Sequence, residues 1–190
     1  PSALLEGHWV LELKGTDDTH IRDSKGIVNT FAKHYTQVYC QAVTTTPDEA
    51  RERLADICLP TLSDSDRAYL EEEITEEDIE QAIHNLTSGK ATGPNGIPIE
   101  PDKLMATKLA PYLLHMYKES RQIGKLPRDQ RLATIMVIHK EGKLKDDCAP
   151  YRPISLLGAE IKILVKVLAS RLHRVITTLI HLDQSGLMPG

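Results

Sequence analysis

Only three cysteines occur in the 190 residues, Cys40, Cys58 and Cys148, an odd number with no C-x-x-C pair among them. Disulfide frameworks and thiolate metal sites need paired or closely spaced cysteines, so these three are read as free thiols. The eight histidines form no H-E-x-x-H or comparable cluster, and no structural metal is expected. No apolar run approaches the roughly 20 residues that a membrane-spanning helix needs, and the first residues carry no secretory-signal pattern. An intracellular protein is expected. A Walker-type phosphate loop is missing too, because His84 stands where G-x-x-x-x-G-K-[ST] needs its first glycine.

What is present is a composition of 41% hydrophobic and 26% charged residues, enough for one good core and a small accessory lobe. The net charge of -4 conceals an asymmetry along the chain. From Asp48 to Glu80 there are 13 acidic and 3 basic residues, whereas Arg121 to Arg174 holds 12 basic and 5 acidic ones. Affinity for phosphate would therefore be local to the second half.

Taken in order, Trp9 to Leu13 alternates as a half-buried strand and Lys14 to Asp18 is a turn cluster. Val28, Phe31, Tyr35 and Val38 recur at helical spacing and predict an amphipathic helix from Asp23 to about Cys40. Residues 41–73 read as a connector with one short helix. Thr75-Glu76-Glu77-Asp78 is a capping-box-like helix start, with Ile74 placed to staple onto Ile79 and an apolar stripe of Ile79, Ala82, Ile83 and Leu86. The acidic run is thus a stabilised helix start and not a metal site. Gly89 sits where the C-cap of that helix belongs, and Ser88 to Pro98 is a Gly/Pro-rich loop whose N–H groups, beside Lys90, could receive phosphate; a plain turn is the ordinary alternative. Leu104 to Tyr117 predicts one or two helices, broken near Pro111 and ending by Gly124.

Ala133 to Ile138 is an apolar, β-branched run with the length of a buried strand, and it ends at Lys140. A polar excursion follows, then Tyr151-Arg152-Pro153 and a second apolar run from Ile154 to Leu157. Strand, loop and strand predict a long β-hairpin with Lys140 on one arm and Arg152 on the other, facing one gap. Pro153 biases Arg152 toward extended backbone. A guanidinium grips phosphate oxygens bidentately and an ammonium acts as a point charge, so the pair reads as a clamp for a polyphosphate or a nucleic-acid backbone; solvated strand ends are the alternative. Ile161, Leu164, Val165, Leu168, Leu172, Val175, Ile176 and Leu179 then give the longest helical stripe. Lys162, Lys166, His173 and Arg174 lie on the opposite face, with Arg171 nearer its edge. The fold class is α+β, mostly helical with a long β-hairpin.

These segments carry a resemblance. KLPRDQRLATIMVIHKEGK, YRPISLL, KILVKVLASRL and HLDQSGLMPG resemble the fingers region of LINE-type, non-LTR retrotransposon reverse transcriptases. The likeness extends back through SGKATGPNGIP and, more weakly, to the N-terminus. It implies that Lys140 and Arg152 contact the triphosphate of an incoming nucleotide. It favours nucleic-acid contact by the Lys90 loop and puts Gln184 near the template. Because the last helix follows Arg152 directly, its basic residues (Lys162, Lys166, Arg171, Arg174) also read as a track for template or primer phosphates, a solvated face being the ordinary alternative. Asn95, Gln130 and Leu187 depart from the family's usual Asp, Trp and Phe.

Polymerisation needs carboxylates that hold two Mg²⁺ ions. In the resembled family they lie downstream in the palm, in a first strand bearing an Asp and in a hairpin reading Tyr/Phe-Ala-Asp-Asp, and neither motif is found here. No catalytic or metal-binding residue is therefore assigned, and Mg²⁺ is expected only in the complete enzyme. The resemblance implies a linker over residues 1–73 and a partial reverse transcriptase domain over 74–190, with fingers but no palm. Such a fragment of an RNA-directed DNA polymerase is not expected to be active alone. Its expected partners are an RNA template, a DNA primer, a deoxynucleoside triphosphate and the remaining polymerase, in a nuclear or cytoplasmic ribonucleoprotein. A nucleic-acid-binding module without polymerase activity and a decayed structural domain are the rival readings.

Overall fold

The computed structural model describes residues 10–15, 19–40, 45–55, 60–180 and 183–184. Its elements run β1 (Leu13–Lys14), β2 (His20–Ile21), α1 (Ser24–Tyr39), α2 (Pro47–Leu54), α3 (Asp64–Glu71), α4 (Glu76–Asn85), α5 (Glu100–Leu104), α6 (Ala106–Ile123), β3 (Ala133–His139), β4 (Tyr151–Leu157) and α7 (Ala159–Leu179). A single 3-10 turn, Asp129–Arg131, precedes β3. The fold is mixed α and β, with two small antiparallel sheets, β1 with β2 and β3 with β4. Trp9 and Thr16 to Asp18 lie outside the described residues, and of the first expected strand only Leu13–Lys14 is a strand.

Two compact units form. A hairpin unit draws on Pro1–Asp56 and Ile135–Ile154, and a helical unit on Ile57–Thr134 and Ser155–Gly190. In the hairpin unit Asp23 caps α1 by accepting the Gly26 N–H at 2.7 Å. Leu13, Ile27, Phe31, Cys148 and Tyr151 form the core, with Val10, Ile21, Tyr35 and Val137 packed against it. The expected stripe on α1 is corrected here. Ile27 and Phe31 are buried, whereas Val28 and Val38 are 65% and 49% exposed. Both pairs fit a helical period, and only the position of the hairpin selects the buried face.

In the helical unit α4 packs on α6 and α7, and α3 on α7. Ile79, Ala82 and Ile83 of α4, Ala110, Leu113 and Tyr117 of α6, and Ile163 and Val167 of α7 form its core. The α4 start is a reciprocal capping box: Asp78 N–H donates to Thr75 Oγ1 at 3.1 Å and Thr75 N–H to Asp78 Oδ2 at 3.0 Å. Two helices, α2 and α3, occupy the connector where one was expected. The predicted break at Pro111 also moves. The chain breaks at Met105, and Pro111 lies inside α6, where neighbouring Ala110 and Leu113 are buried. Their burial offsets the one backbone bond that proline cannot make. Gly124, with φ of 76°, ends α6 in the left-handed region that favours glycine. Gly89 does not cap α4, which ends at Asn85 with Leu86 in an extended conformation.

Candidate nucleic-acid interface

Toward the loop the hairpin arms follow the two-residue alternation of a pleated strand, which is lost further back, where Ile135 is 55% exposed. On β3, Val137 and His139 are half-buried, and Met136 and Ile138 are exposed; on β4, Tyr151 is buried, and Arg152 and Ile154 are exposed. Lys140, one residue past His139, falls on the exposed side with Arg152. The strand expected to be buried is in fact half solvated, with Met136 at 48%, Ile138 at 37% and Ile154 at 42% exposure. Two cations therefore flank an apolar, open floor.

What fixes this face lies beneath it. Tyr151 is 6% exposed and meets Phe31 edge-on at 5.1 Å and His139 at 5.0 Å. Its hydroxyl donates to Lys145 O at 2.9 Å, and its carbonyl accepts the Tyr35 hydroxyl at 3.1 Å. Burial, then the nearby Cys148 and Asp146, pushes the Tyr151 phenol up, so it stays protonated and donating. The Lys140 N–H donates to Pro150 O at 2.9 Å and ties the neck of the loop. The backbone at Lys140 and Arg152 is thus held, and among the described residues neither side chain takes part in a salt bridge.

In the helical unit the loop between α4 and α5 lies against the junction of β4 and α7. A Cβ on Gly93 would stand 2.5 Å from the backbone of Leu157 and Gly158, so only glycine permits this approach. Lys90 and Lys162 line one cavity of about 210 Å³, together with Thr92, Ile99 and Ala159. The Lys162 ammonium donates to Ala91 O at 2.9 Å, which uses one of its three donors. Three of the loop's N–H groups are already engaged. Gly89 N–H donates to Glu100 Oε1 at 2.6 Å, Gly96 N–H to Gly93 O at 3.0 Å, and Ile97 N–H to Asn95 Oδ1 at 3.2 Å. The Gly89 bond holds the Glu100 carboxyl below the usual range. Asn95 serves the turn itself.

The remaining sequence-selected residues fall out differently. Lys166 is half-buried on α7 and Gln184 is exposed. The Arg174 guanidinium sits over the Tyr69 ring, 4.2 Å from its centroid, a cation–π contact. Arg171 is corrected outright: it is 8% exposed. Its guanidinium donates to Glu72 O, to Glu73 O at 2.8 Å and to Asp78 Oδ2 at 2.8 Å. A group whose donors are engaged indoors is not part of an open phosphate track. Burial alone would push the Asp78 carboxyl up, but the Thr75 N–H and Arg171 outweigh it and hold it below the usual range. The α7 stripe is re-sorted accordingly: Ile161, Ile163, Val167 and Val175 are buried, while Val165, Leu168 and Leu172 are 43 to 50% exposed.

Sequence reading missed Tyr151 as the anchor of the hairpin; its signal was a lone aromatic between Pro150 and Arg152. It also missed the apolar floor, for which the uniformly apolar run from Ile135 to Ile138 carries no signal. Among the described residues no group of three or more His, Cys, Asp or Glu is placed to hold a metal ion, and no helix is long and apolar enough to cross a membrane.

No model of a known protein family matches the chain. Over 178 residues, 92% of its length, it is 31% identical to the transposon TX1 uncharacterized 149 kDa protein of Xenopus laevis, of which it covers 13%. It is 31% identical over 101 residues to the probable RNA-directed DNA polymerase from transposon BS of Drosophila melanogaster, covering 53% of the chain and 11% of that protein. The RNA-directed DNA polymerase from mobile element jockey of the same fly is 29% identical over 99 residues, 52% of the chain and 11% of that protein. The chain thus spans about an eighth or less of the length of these relatives, and its likeness to them supports a place among LINE-type, non-LTR retrotransposon reverse transcriptases.

Proposed function

We propose that this chain is a fingers segment of an RNA-directed DNA polymerase, with residues 1–73 as linker and 74–190 as part of the polymerase domain. Lys140 and Arg152 take the triphosphate of the incoming deoxynucleotide. Lys90, Lys162, Lys166 and Arg174, with Gln184, contact the RNA template and DNA primer. The observation that carries this reading is the pair of cations without salt bridges on one exposed hairpin face, above the buried Tyr151.

The chemistry asked of these residues is binding and orientation. A triphosphate carries several negative charges, and a guanidinium aimed by the Arg152-Pro153 step can hold two of its oxygens in a plane. The Lys140 ammonium supplies a point charge from the other arm. The apolar surface of Met136, Ile138 and Ile154 suits a sugar or base edge better than a hydrated ion. Mg²⁺ would supply activation of the primer hydroxyl and neutralisation of the leaving phosphate, through carboxylates other than those described here.

The test is the nucleotide dependence of single-nucleotide incorporation by the polymerase carrying this segment. Lys140→Ala and Arg152→Ala are each expected to raise the nucleotide KM about tenfold, the effect of losing one charge-assisted contact. Unchanged KM and incorporation rate in both variants would sink the assignment.

A further inference from the structure

Helix α1 carries an aromatic ladder that the nucleotide-binding reading does not use. Phe31, Tyr35 and Tyr39 recur every four residues, which on a helix places side chains one above another. Phe31 and Tyr35 stack with centroids 6.2 Å apart and planes 13° apart; Tyr35 and Tyr39 stack at 6.2 Å and 25°. These are offset-stacked geometries. The ladder is rooted at one end, where Phe31 is 7% exposed and packs in the core. It is open at the other, where Tyr39 is 69% exposed. Tyr35 holds the middle rung, with its hydroxyl fixed on Tyr151 O.

An exposed aromatic with a ring ordered beneath it differs from an ordinary surface tyrosine. Tyr112 is more exposed still, at 76%, but among the described residues no ring stacks on it. For Tyr39 the neighbouring ring restricts one face and leaves the outer face to a planar ligand. Charge says which planar ligand. Between Ser24 and Pro47 there is not one Asp or Glu, in a chain with 27 of them, while Lys25 and Lys33 lie on α1. The helix that carries the stack has no carboxylate to repel a phosphate backbone, and bases laid on aromatic π-faces are how single-stranded nucleic acids are held.

We propose that Tyr39 is a stacking platform for an unpaired nucleobase of a single-stranded nucleic acid, extending the Phe31–Tyr35–Tyr39 ladder by one ring. The site is separate from the Lys140 and Arg152 face, because Tyr151, which supports the ladder, points away from that face. It deepens the reading of the chain as a nucleic-acid-handling segment without depending on its triphosphate contacts.

The experiment is fluorescence anisotropy of the purified 190-residue chain with labelled single-stranded 12-mers of RNA and of DNA. Tyr39→Ala should weaken binding about 5- to 100-fold, the range of one lost base stack. Its salt slope should stay unchanged, since no phosphate contact is removed. Tyr39→Trp should retain the affinity, and Tyr112→Ala should leave it within twofold. An abasic 12-mer should bind the unaltered chain as weakly as the intact strand binds Tyr39→Ala. The RNA and DNA arms tell which strand carries the base. In a Trp9→Phe background, which removes the chain's one native tryptophan, the indole introduced by Tyr39→Trp should be quenched by the intact strand and not by the abasic one. Affinity within twofold for Tyr39→Ala, equal binding of the abasic strand, or no binding by the unaltered chain would each overturn the platform. Loss of triphosphate dependence at Lys140 and Arg152 is read separately, so either claim can fail alone.

Discussion

In the hairpin unit the core is aromatic and small, and the cations stand outside it. In the helical unit the core is aliphatic and larger, and a guanidinium stands inside it. Arg152 and Arg171 come from the same basic half of the chain, yet the first extends from a strand face with no salt bridge among the described residues, while the second binds two backbone carbonyls and a carboxylate. The difference lies in what surrounds each arginine. A strand whose inner neighbour is Tyr151 throws the next residue outward; a helix packed against α3 and α4 brings Arg171 to the unsatisfied carbonyls that follow α3. A basic residue with engaged donors builds the fold, and one with free donors is available to a ligand.

The sharpest way to break this comparison is Arg171→Ala. It removes three hydrogen bonds, taking this donor from Glu72 O and Glu73 O and leaving Asp78 with only the Thr75 N–H. Asp78 is about a third exposed, so water recovers part of the loss. A destabilisation of roughly 2–4 kcal/mol is expected in urea unfolding, with triphosphate binding per folded molecule unchanged. Stability within 0.5 kcal/mol of the unaltered chain would place Arg171 among the surface cations after all.

Next in size is Gly93→Ala. The added Cβ would meet rigid backbone at Leu157 and Gly158, so the loop must move off the strand–helix junction at a cost of about 1–3 kcal/mol. Because Lys162 and Ala91 are bonded across that junction, the same variant should weaken nucleic-acid binding, while Gly96→Ala, with open space around it, should strain only its own turn. Equal effects from both glycines would argue against the close approach.

The smallest effect is a pH dependence set by the pairing of Asp78 with Arg171. The Asp78 carboxyl is held below its ordinary value of 3.8, so its contribution to stability is present above that value and fades as pH falls through the lowered one. Urea midpoints should therefore drop on acidification below about pH 4, and the drop should shrink in Arg171→Ala. An identical acid slope in both proteins would mean that the pairing does not set the Asp78 charge.

How far the sequence could be read follows the range of the forces involved. Caps and helix ends were legible because they close over three or four residues: Asp23 on Gly26, Thr75 with Asp78, and Gly124 at the end of α6 all lie where local chemistry puts them. The hairpin was legible from two apolar runs flanking a polar loop. The faces were not. Val28 and Phe31 are equally apolar and equally helical in spacing, and only the hairpin decides which is covered. Met136 and Val137 belong to one run, and only the pleat against Phe31 and Tyr35 divides them.

The candidate site shows the same division. Residue type and spacing marked Lys140 and Arg152 as phosphate-binding candidates, with solvated strand ends as the alternative. Spacing alone also put Arg171 beside Arg174, and there it failed, because 93 residues separate Arg171 from the aspartate that claims it. The order of its residues by itself determined several helix caps, the hairpin and the positions of the charges in this protein. Tertiary structure alone decided which charges and which apolar faces remain open, because burial is a property of partners brought from far along the chain and no local pattern encodes who those partners are.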